Sequence, residues 1–297
     1  NLAKNGRCSP VLAKAAGLLG IRVVGKASDE GTLQQLHKCR GEKSALKTLY
    51  KTMKELGFAS VEEVAIGADL CAVEEADEFV RHVPGKQPFM ATSCCPAWHS
   101  MIYKLFPGET KKISMTLTPM VFTARLMKKQ YPGCKVVFVG PCAAKKLEAI
   151  REDIRSDVDF VLTFEELQGM FEAKEIDFET IEPMYDLNEG TATGRGFAAS
   201  GGVAEAVRVR PKHPEKLRAA VINGLTGGGM KQLAHFGKMN VGAVPYTDQS
   251  PNLIEVMACE GGCIAGPSVI TNPKVAAAQL KKYVAEGAVA PGSSARQ

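Results

Sequence analysis

Residues 92–98, Thr-Ser-Cys-Cys-Pro-Ala-Trp, place two adjacent cysteines between a predicted strand and a predicted helix. A disulfide between neighbouring residues is strained because the two Cα atoms lie closer together than disulfide geometry prefers. Two side chains that leave one turn in different directions can instead have two roles. We therefore expect one of Cys94 and Cys95 to bind a metal and the other to act as an acid or base.

Length and composition predict a globular protein with a large core, in one large domain or two lobes. The chain has 297 residues, 45% of them hydrophobic, and a formal net charge of +5. Its basic pairs are scattered without interleaved aromatic residues, which argues against nucleic-acid binding. No apolar run approaches the roughly 20 residues needed to span a bilayer, and no signal peptide is visible. We expect a cytoplasmic protein.

The nine cysteines are too few for a disulfide scaffold in a chain of this length. Isolated cysteines, expected to be core or spare thiols, are Cys8, Cys39, Cys71 and Cys134. The others form three clusters, which are Cys94 with Cys95, Pro141 with Cys142, and Cys259 with Cys263. These clusters are the candidates for chemistry.

Apolar periodicity predicts strands that alternate with helices. Predicted helices cover residues 9–21, 44–57, 68–80, 97–106, 117–130, a segment from about 163, 202–209 and 273–286. Predicted strands cover residues 88–92, 134–140, 159–163 and 253–258, with strands or sheet edges at 221–225 and 241–244. Residues 183–196 are predicted to be irregular. This alternation indicates an α/β fold of parallel βαβ units, whose functional sites lie beyond the carboxyl ends of the strands.

Four cysteines at or near such strand ends could supply thiolates to one metal site: Cys95, Cys142, Cys259 and Cys263. Four thiolates suit a cubane iron–sulfur cluster or a tetrahedral zinc ion. Structural zinc sites usually take two closely spaced cysteine pairs, and only Cys259 and Cys263 are paired in that way here. The spacing therefore favours the iron–sulfur cluster, with zinc or unligated thiols as alternatives.

Several other side chains lie near these cysteines in sequence, although a simple electron-transfer cluster does not need them. Lys145 and Glu148 follow Cys142, Met257 precedes Cys259, and Cys94 adjoins Cys95. A buried ammonium group requires an anion, which the cofactor could provide. An unligated thiol beside a cluster can carry protons.

Three motifs in these regions resemble the signatures of the catalytic H-domain of FeFe-hydrogenases. They are T-S-C-C-P-x-W at 92–98, P-C-x-x-K-x-x-E at 141–148 and E-x-M-A-C-x-x-G-C at 255–263. The resemblance runs from about residue 68 to 282, and more loosely before that. It implies one H-domain over 1–297, with two lobes of roughly 1–180 and 181–297 that each contain a mainly parallel sheet flanked by helices. The cofactor would be buried between the lobes, the C-terminal helix would pack back, and 287–297 would be a disordered tail.

The same resemblance implies an H-cluster. The four cysteines would hold a cubane, and Cys263 would also bridge to a di-iron unit that carries CO, cyanide and an azadithiolate. Lys145 would pair with a cyanide, Thr118 and Pro119 would contact other diatomic ligands, and Met257 and Phe197 would pack on the di-iron unit. The residues implied to line the cofactor are Lys145, Thr118, Pro119, Met257, Phe197, Pro141, Ser93 and Gly140.

A proton relay is also implied, from Cys94 through Glu75 and Ser114 to Glu78. Glu75 and Glu78 are three residues apart on a predicted helix and so share a face. Acidic residues on a helix usually meet only water, so the resemblance alone gives this pair its role.

The implied activity is the interconversion of H₂ with two protons and two electrons. The implied partners are a ferredoxin-like electron carrier or an upstream iron–sulfur domain, together with maturation proteins. Two positions depart from the family pattern, because Gly140 replaces a methionine and Pro267-Ser268 follows Gly266 where the family continues with glycine. These departures suggest a divergent branch. A hydrogen sensor with low turnover and a non-catalytic iron–sulfur protein are the alternatives.

Overall fold

The fold was analysed in a computed structural model, which describes residues 21–27, 33–40, 42–176, 190–210, 216–269 and 271–287. The strands are β1 Ile21–Ala27, β2 Leu33–Arg40, β3 Met90–Ala91, β4 Val137–Val139, β5 Phe160–Leu162, β6 Ala219–Asn223 and β7 Leu253–Met257. The α-helices are α1 Glu42–Glu55, α2 Ala65–His82, α3 Pro96–Leu105, α4 Pro119–Gln130, α5 Ala144–Ala149, α6 Phe164–Ala173, α7 Ala192–Gly196, α8 Gly202–Arg208, α9 Gly227–Asn240 and α10 Pro273–Ala285.

The chain forms two compact units. The first consists of Asn1–Glu63, Phe164–Asn188 and Ile270–Asn272, and the second of Val64–Thr163, Glu189–Val269 and Pro273–Gln297. In the first unit, β1 and β2 pair as an antiparallel hairpin that α1 follows. The predicted lobe boundary near residue 180 stays a prediction. Most of the predicted helix at 9–21 and of the tail at 287–297 lies outside the described residues.

A three-stranded parallel sheet of order β3-β7-β6 is the centre of the second unit. All five residues of β7 are buried, and they alternate between two apolar clusters as the pleat of a strand requires. Leu253 and Met257 pack into one cluster, which includes Phe79 of α2. Ile254 and Val256 pack into the other, which includes Trp98 of α3 and Ile222 of β6. The sheet is therefore covered on both faces, as parallel sheets generally are.

A second parallel pair, β4 with β5, is shorter than the predicted strands at 134–140 and 159–163. Next to the start of this strand pair, the side chain of Asp159 takes the place of backbone ladder bonds. Its carboxylate accepts hydrogen bonds from the backbone N–H of Val136 at 2.9 Å and from the ammonium group of Lys135 at 2.9 Å. Although desolvation opposes it, the hydrogen bond from Lys128, followed by those from Val136 and Lys135, holds the pKa of Asp159 well below its usual range. Two parallel sheets flanked by helices confirm the predicted α/β class.

Two predictions about local structure are wrong. Residues 241–244, predicted as a strand or sheet edge, form the turn after α9, where Gly242 has a φ of 75°. Helix α9 itself was missed because it begins with Gly227, Gly228 and Gly229, and glycine has a low helix propensity. The short helix α7 lies within the region predicted to be irregular, and Thr191 caps it by accepting a hydrogen bond from the Gly194 N–H.

None of the helices in the described residues is long and apolar enough to span a membrane.

Candidate metal centre

The loop that carries Cys94 and Cys95 is fixed to the central strand β7. Past the end of β3, the Thr92 N–H donates to the carbonyl of Ile254 at 2.9 Å. The indole N–H of Trp98 donates to the carbonyl of Thr92 at 3.0 Å. Cys95 is the N-cap residue of α3, and Pro96 occupies the first turn, where its missing N–H costs nothing. The strand, cap and helix therefore position both cysteines.

The loop with Cys259 and Cys263 follows β7 directly and requires glycine. Gly261 and Gly262 have φ values of 93° and 87°, in the left-handed region that favours glycine. A Cβ on Gly262 would lie 2.5 Å from the backbone nitrogen of Ser200. Gly262 donates to the carbonyl of Cys259 at 3.0 Å, which closes the turn between the two cysteines.

Cys142 is brought to the Cys263 loop by a close backbone approach. A Cβ on Gly266 would lie only 2.6 Å from the carbonyl oxygen of Pro141. The same carbonyl accepts a hydrogen bond from the Ser268 N–H at 3.3 Å. Pro267 and Ser268, one of the two departures from the family pattern, therefore lie where the Cys263 loop contacts the Cys142 loop.

The four predicted ligands form one electrostatically coupled group. Desolvation, with smaller effects of Cys95, Cys142 and Cys259, raises the pKa of the Cys263 thiol to about 12, although Lys145 acts in the opposite direction. Desolvation, with smaller effects of Cys95 and Cys142, also raises the pKa of Cys259. Cys263 nevertheless keeps an exposed surface. Four coupled thiols fit a metal-bound group, since metal binding deprotonates them.

In the part of the chain that the structure describes, no three His, Cys, Asp or Glu side chains could hold a single metal ion together. In a cubane, each cysteine binds a different iron atom, so an iron–sulfur cluster does not require three thiols to meet at one metal ion.

A buried cation, Lys145, interacts electrostatically with two of the nearby thiols, Cys94 and Cys263. Its ammonium group donates to Glu148 Oε2 at 2.6 Å, and the hydroxyl of Thr118 donates to Glu148 Oε1 at 2.6 Å. Burial alone would lower the pKa of Lys145, but the charge and hydrogen bond of Glu148 raise it, with further contributions from Cys94 and Cys263. Lys145 is therefore a charged group held near the thiols, as an anionic cofactor would require.

The thiol of Cys94 and the carboxyl group of Glu75 interact in the protein interior. Desolvation and then Glu75 raise the pKa of Cys94 well above its ordinary value. Desolvation, followed by the charge of Glu78, raises the pKa of Glu75 to about 8, although Ser114 and the Ser93 backbone act in the opposite direction. Among the described residues, neither carboxyl oxygen of Glu75 has a hydrogen-bond partner. Ser114 is thus close to Glu75 without a hydrogen bond to it.

Glu78, by contrast, is fully hydrogen-bonded. Its Oε2 accepts from the hydroxyl of Ser114 at 2.7 Å and from that of Thr116 at 3.0 Å. Both of its oxygens lie 3.1 Å from the backbone nitrogen of Met115. Ser93 contributes from the cysteine loop by donating to the carbonyl of Thr116 at 2.9 Å. The structure therefore brings the residues predicted for the relay into one region.

Two of the remaining predicted residues pack with Cys94 and Cys95. Met257 and Phe197 are buried in the cluster against which Cys94 and Cys95 pack. Pro119 opens α4 directly after Thr118. At Gly140, a Cβ would meet the ring of Phe138 at 2.7 Å, so the phenylalanine ring occupies the space next to the position where the family has methionine.

Sequence analysis missed Glu255 and Thr116. Glu255 is fully buried on β7, and it accepts from the backbone N–H groups of Gly201 at 2.7 Å and Ala204 at 2.8 Å. It thus fixes the start of α8 to the strand that delivers Cys259. The acidic residue within the otherwise apolar stretch 253–258 was a signal for this role, whereas nothing in the sequence connects Thr116 with Glu78.

The fold and the site first define a class, that of an α/β protein with four electrostatically coupled cysteines. Residues 27–267 match the family model "Iron only hydrogenase large subunit, C-terminal domain". The match covers most of the chain, which therefore belongs to this family. Iron hydrogenase 1 of Clostridium pasteurianum is 29% identical over 269 residues, 76% of this chain and 46% of that protein. The chain thus spans less than half the length of this relative.

Solved structures support the same fold. An alanine variant of the FeFe-hydrogenase HydA1 from Chlamydomonas reinhardtii has a TM-score of 0.58 at 24% identity, over 82% of this chain and 78% of that chain. A further similarity, to a protein with a different name, covers a much shorter part of the chain. A DegV domain-containing protein of Streptococcus pyogenes is 50% identical over 58 residues, 20% of this chain and 21% of that protein.

Proposed function

We propose that this chain interconverts H₂ with two protons and two electrons at an H-cluster. The observation that carries the proposal is the electrostatic coupling of four thiols with one another and with a buried lysine, in a chain of the iron-only hydrogenase family. When bound, the H-cluster supplies the iron centre at which H₂ is formed or split and the redox chemistry that accepts its electrons.

The residues near the four thiols would either hold the cofactor or exclude water. Cys95, Cys142, Cys259 and Cys263 would hold the cubane, with Cys263 bridging to a di-iron unit with CO, cyanide and azadithiolate ligands. Lys145 would stabilise the negative charge of a cyanide, since its ammonium group has three N–H donors and the bond to Glu148 uses one of them. Lining roles are proposed for Thr118, Pro119, Met257, Phe197, Pro141, Ser93 and Gly140.

Proton transfer would run from Cys94 to Glu75 and on to Ser114 and Glu78. A carboxyl group with a pKa of about 8 can gain and lose a proton near neutral pH, which is what a carrier must do. The Ser114 hydroxyl donates to Glu78 at 2.7 Å and can relay a proton by rotating. The gap between Glu75 and Ser114 would close by a small side-chain movement or through one water.

Replacing Cys94 with Ala tests the relay. We expect the cofactor to assemble and turnover to be nearly abolished, because a methyl group cannot carry a proton. Infrared bands of CO and cyanide report assembly, and H₂ evolution with a chemical reductant reports turnover. Cys134→Ala, which removes an isolated thiol, is the matched control. Normal rates in Cys94→Ala would exclude this thiol as the carrier, and absence of both bands in the matured wild type would exclude the cofactor.

The partners are proposed on the same basis. Electrons would be exchanged with a ferredoxin-like carrier or an upstream iron–sulfur domain, and maturation proteins would supply the di-iron unit. The cytoplasmic location stays a prediction. A catalytic role is proposed rather than a sensor or a non-catalytic protein, because Cys94 lies beside a titratable carboxyl group and Lys145 faces the thiols.

A further inference from the structure

Among the described residues, the central sheet of the second unit has one covered edge and one open edge. At the β3 edge, Ala91 forms a parallel bridge with Ile113, and its carbonyl accepts a hydrogen bond from the Ser114 N–H at 2.8 Å. At the opposite edge, β6 pairs with β7 alone. The β6 edge is therefore a candidate for pairing with a further strand.

Alternate residues of β6 direct their backbone groups away from β7. At the two ends of the strand, the carbonyl of Arg218 accepts a hydrogen bond from β7 at 3.2 Å, and the N–H of Gly224 donates to β7 at 2.9 Å. The backbone groups of successive strand residues point to opposite sides, so every second residue between these two also faces β7. The residues that face outward are Ala219, Val221 and Asn223, and all three are exposed.

Within the described part of the chain, the β6 edge has none of the features that usually prevent strand addition. Its sequence, Ala-Ala-Val-Ile-Asn, contains no charged residue and no proline, and its register with β7 is continuous. Val221, in the middle of the strand, is 37% exposed. Edge strands are commonly protected by lysine, proline, a bulge or a covering segment. The backbone of β6 is therefore accessible to another extended chain.

A concavity of about 310 Å³ lies between this edge and helix α9. Its lining residues are Ala220, Val221, Lys231, Gln232, His235 and Phe236. None of the six is acidic, and α9 itself contains no Asp or Glu. Lys231 and His235 are both exposed. A cation and a ring N–H donor therefore flank the accessible strand, with no carboxylate among the lining residues.

The spacing of Lys231 and His235 matches that of side chains on an extended peptide. Residues four apart on an α-helix lie about 6 Å apart along its axis. Side chains on one face of a strand repeat about every 6.6 Å. A strand added beside β6 would thus direct two side chains, at alternate positions, towards Lys231 and His235. Carboxylates suit both positions, because an ammonium group and an imidazole N–H are hydrogen-bond donors.

We propose that β6 and α9 bind an extended acidic segment of a partner protein, which adds to the central sheet as a fourth strand. The backbone of the segment bonds to the outward N–H and C=O groups of β6, and its acidic side chains contact Lys231 and His235. In this mode of recognition, main-chain hydrogen bonds supply affinity and side-chain contacts supply specificity. The proposal is independent of the proposed function, because it uses none of the residues assigned to the cofactor or the relay.

Fluorescence anisotropy of a labelled peptide with alternating glutamate and valine tests the proposal on the full chain. We expect saturable binding below about 1 mM. Lys231→Ala and His235→Ala should each weaken binding about two- to fivefold, as expected for the loss of one exposed polar contact. Lys238→Ala is the matched control, because Lys238 is an exposed lysine of α9 outside the concavity, and it should leave the affinity unchanged.

Two altered peptides separate strand addition from a general attraction of charges. In the first pair, backbone N-methylation is placed on all glutamates or on all valines, so that one set of methyl groups faces β6 and the other faces away. One methylated peptide should lose binding, and the other should keep it. A peptide with alternating lysine and valine should bind at least about tenfold more weakly than the parent, because it places cations opposite Lys231.

Several results would overturn the proposal. The absence of saturable binding up to about 1 mM would do so, as would equal affinity of the glutamate and lysine peptides. An equal effect of the two methylation patterns would exclude strand addition. Sedimentation equilibrium of the chain alone tests the other occupant. If the chain is a dimer that Val221→Pro converts to a monomer, a second copy occupies the edge and the proposal is wrong.

Discussion

Glu75 should make the protein less stable as the pH rises from acid to neutral. Its carboxyl group is 1% exposed, and desolvation together with the charge of Glu78 raises its pKa from 4.5 to about 8. The folded chain therefore binds this proton more tightly than the unfolded chain does. The stabilisation is complete below pH 4.5, where both states are protonated, and it is lost as the pH rises towards 8.

The size of the effect follows from the two pKa values. Between pH 5 and pH 8, the unfolded carboxyl group is ionised while the folded one keeps most of its proton. Each pH unit in this range lowers the free energy of unfolding by about 1.4 kcal/mol, so the total is of the order of 4 kcal/mol. Glu75→Gln lacks the titrating group, and its stability relative to wild type should rise by this amount.

Urea denaturation of the reduced, metal-free protein at pH 5 and at pH 8 measures the difference. Glu74→Gln is the matched control, because Glu74 is the preceding residue of α2 and is exposed. Its difference from wild type should be nearly independent of pH. If the difference between Glu75→Gln and wild type is the same at both pH values, Glu75 is not a protonated buried carboxyl group, and its place in the relay loses its physical basis.

Three further perturbations test the site. Glu148→Gln leaves the Lys145 ammonium without a charged partner and should cost about 3 kcal/mol in urea denaturation; an unchanged stability would show that water replaces Glu148. Glu255→Ala leaves two backbone N–H groups unpaired and should cost about 2 to 6 kcal/mol in the same assay, whereas a loss below 1 kcal/mol would contradict its anchoring role. Gly262→Ala should lower both the melting temperature and the iron content, because its Cβ would clash with the backbone of Ser200. Gly237→Ala is the control, because the space around Gly237 in α9 is open, and it should stabilise the protein by about 0.5 to 1 kcal/mol. Equal effects of the two substitutions would refute the steric argument.

The sequence predicts the class of fold and the cysteine group because both depend on local patterns. Strand ends that carry cysteines are visible as apolar runs, and parallel strands place their carboxyl ends on one edge. The pairing of Lys145 with Glu148 was not predicted, although a three-residue spacing on a helix allows it. These features require no knowledge of which segments meet in space.

Other features depend on contacts between distant segments. The hydroxyl of Thr118 meets Glu148 across 30 residues, and Ser114 meets Glu78 across 36, which no periodicity reveals. Burial of Glu75 results from packing of α2 against other helices, including α4 and α8, and sequence alone does not distinguish its position from an ordinary solvated helix face. Helix α9 was not predicted because its three leading glycines have a low helix propensity, which packing in the folded protein overrides.

The backbone contact between Gly266 and Pro141 couples the lengths of two loops that are far apart in sequence. One loop carries Cys142 and the other carries Cys263, and their chains touch with no room for a methyl group. An inserted residue in either loop would move one cysteine relative to the other three, unless a compensating change occurred in the second loop. In evolution, these two loops should therefore change length together or not at all.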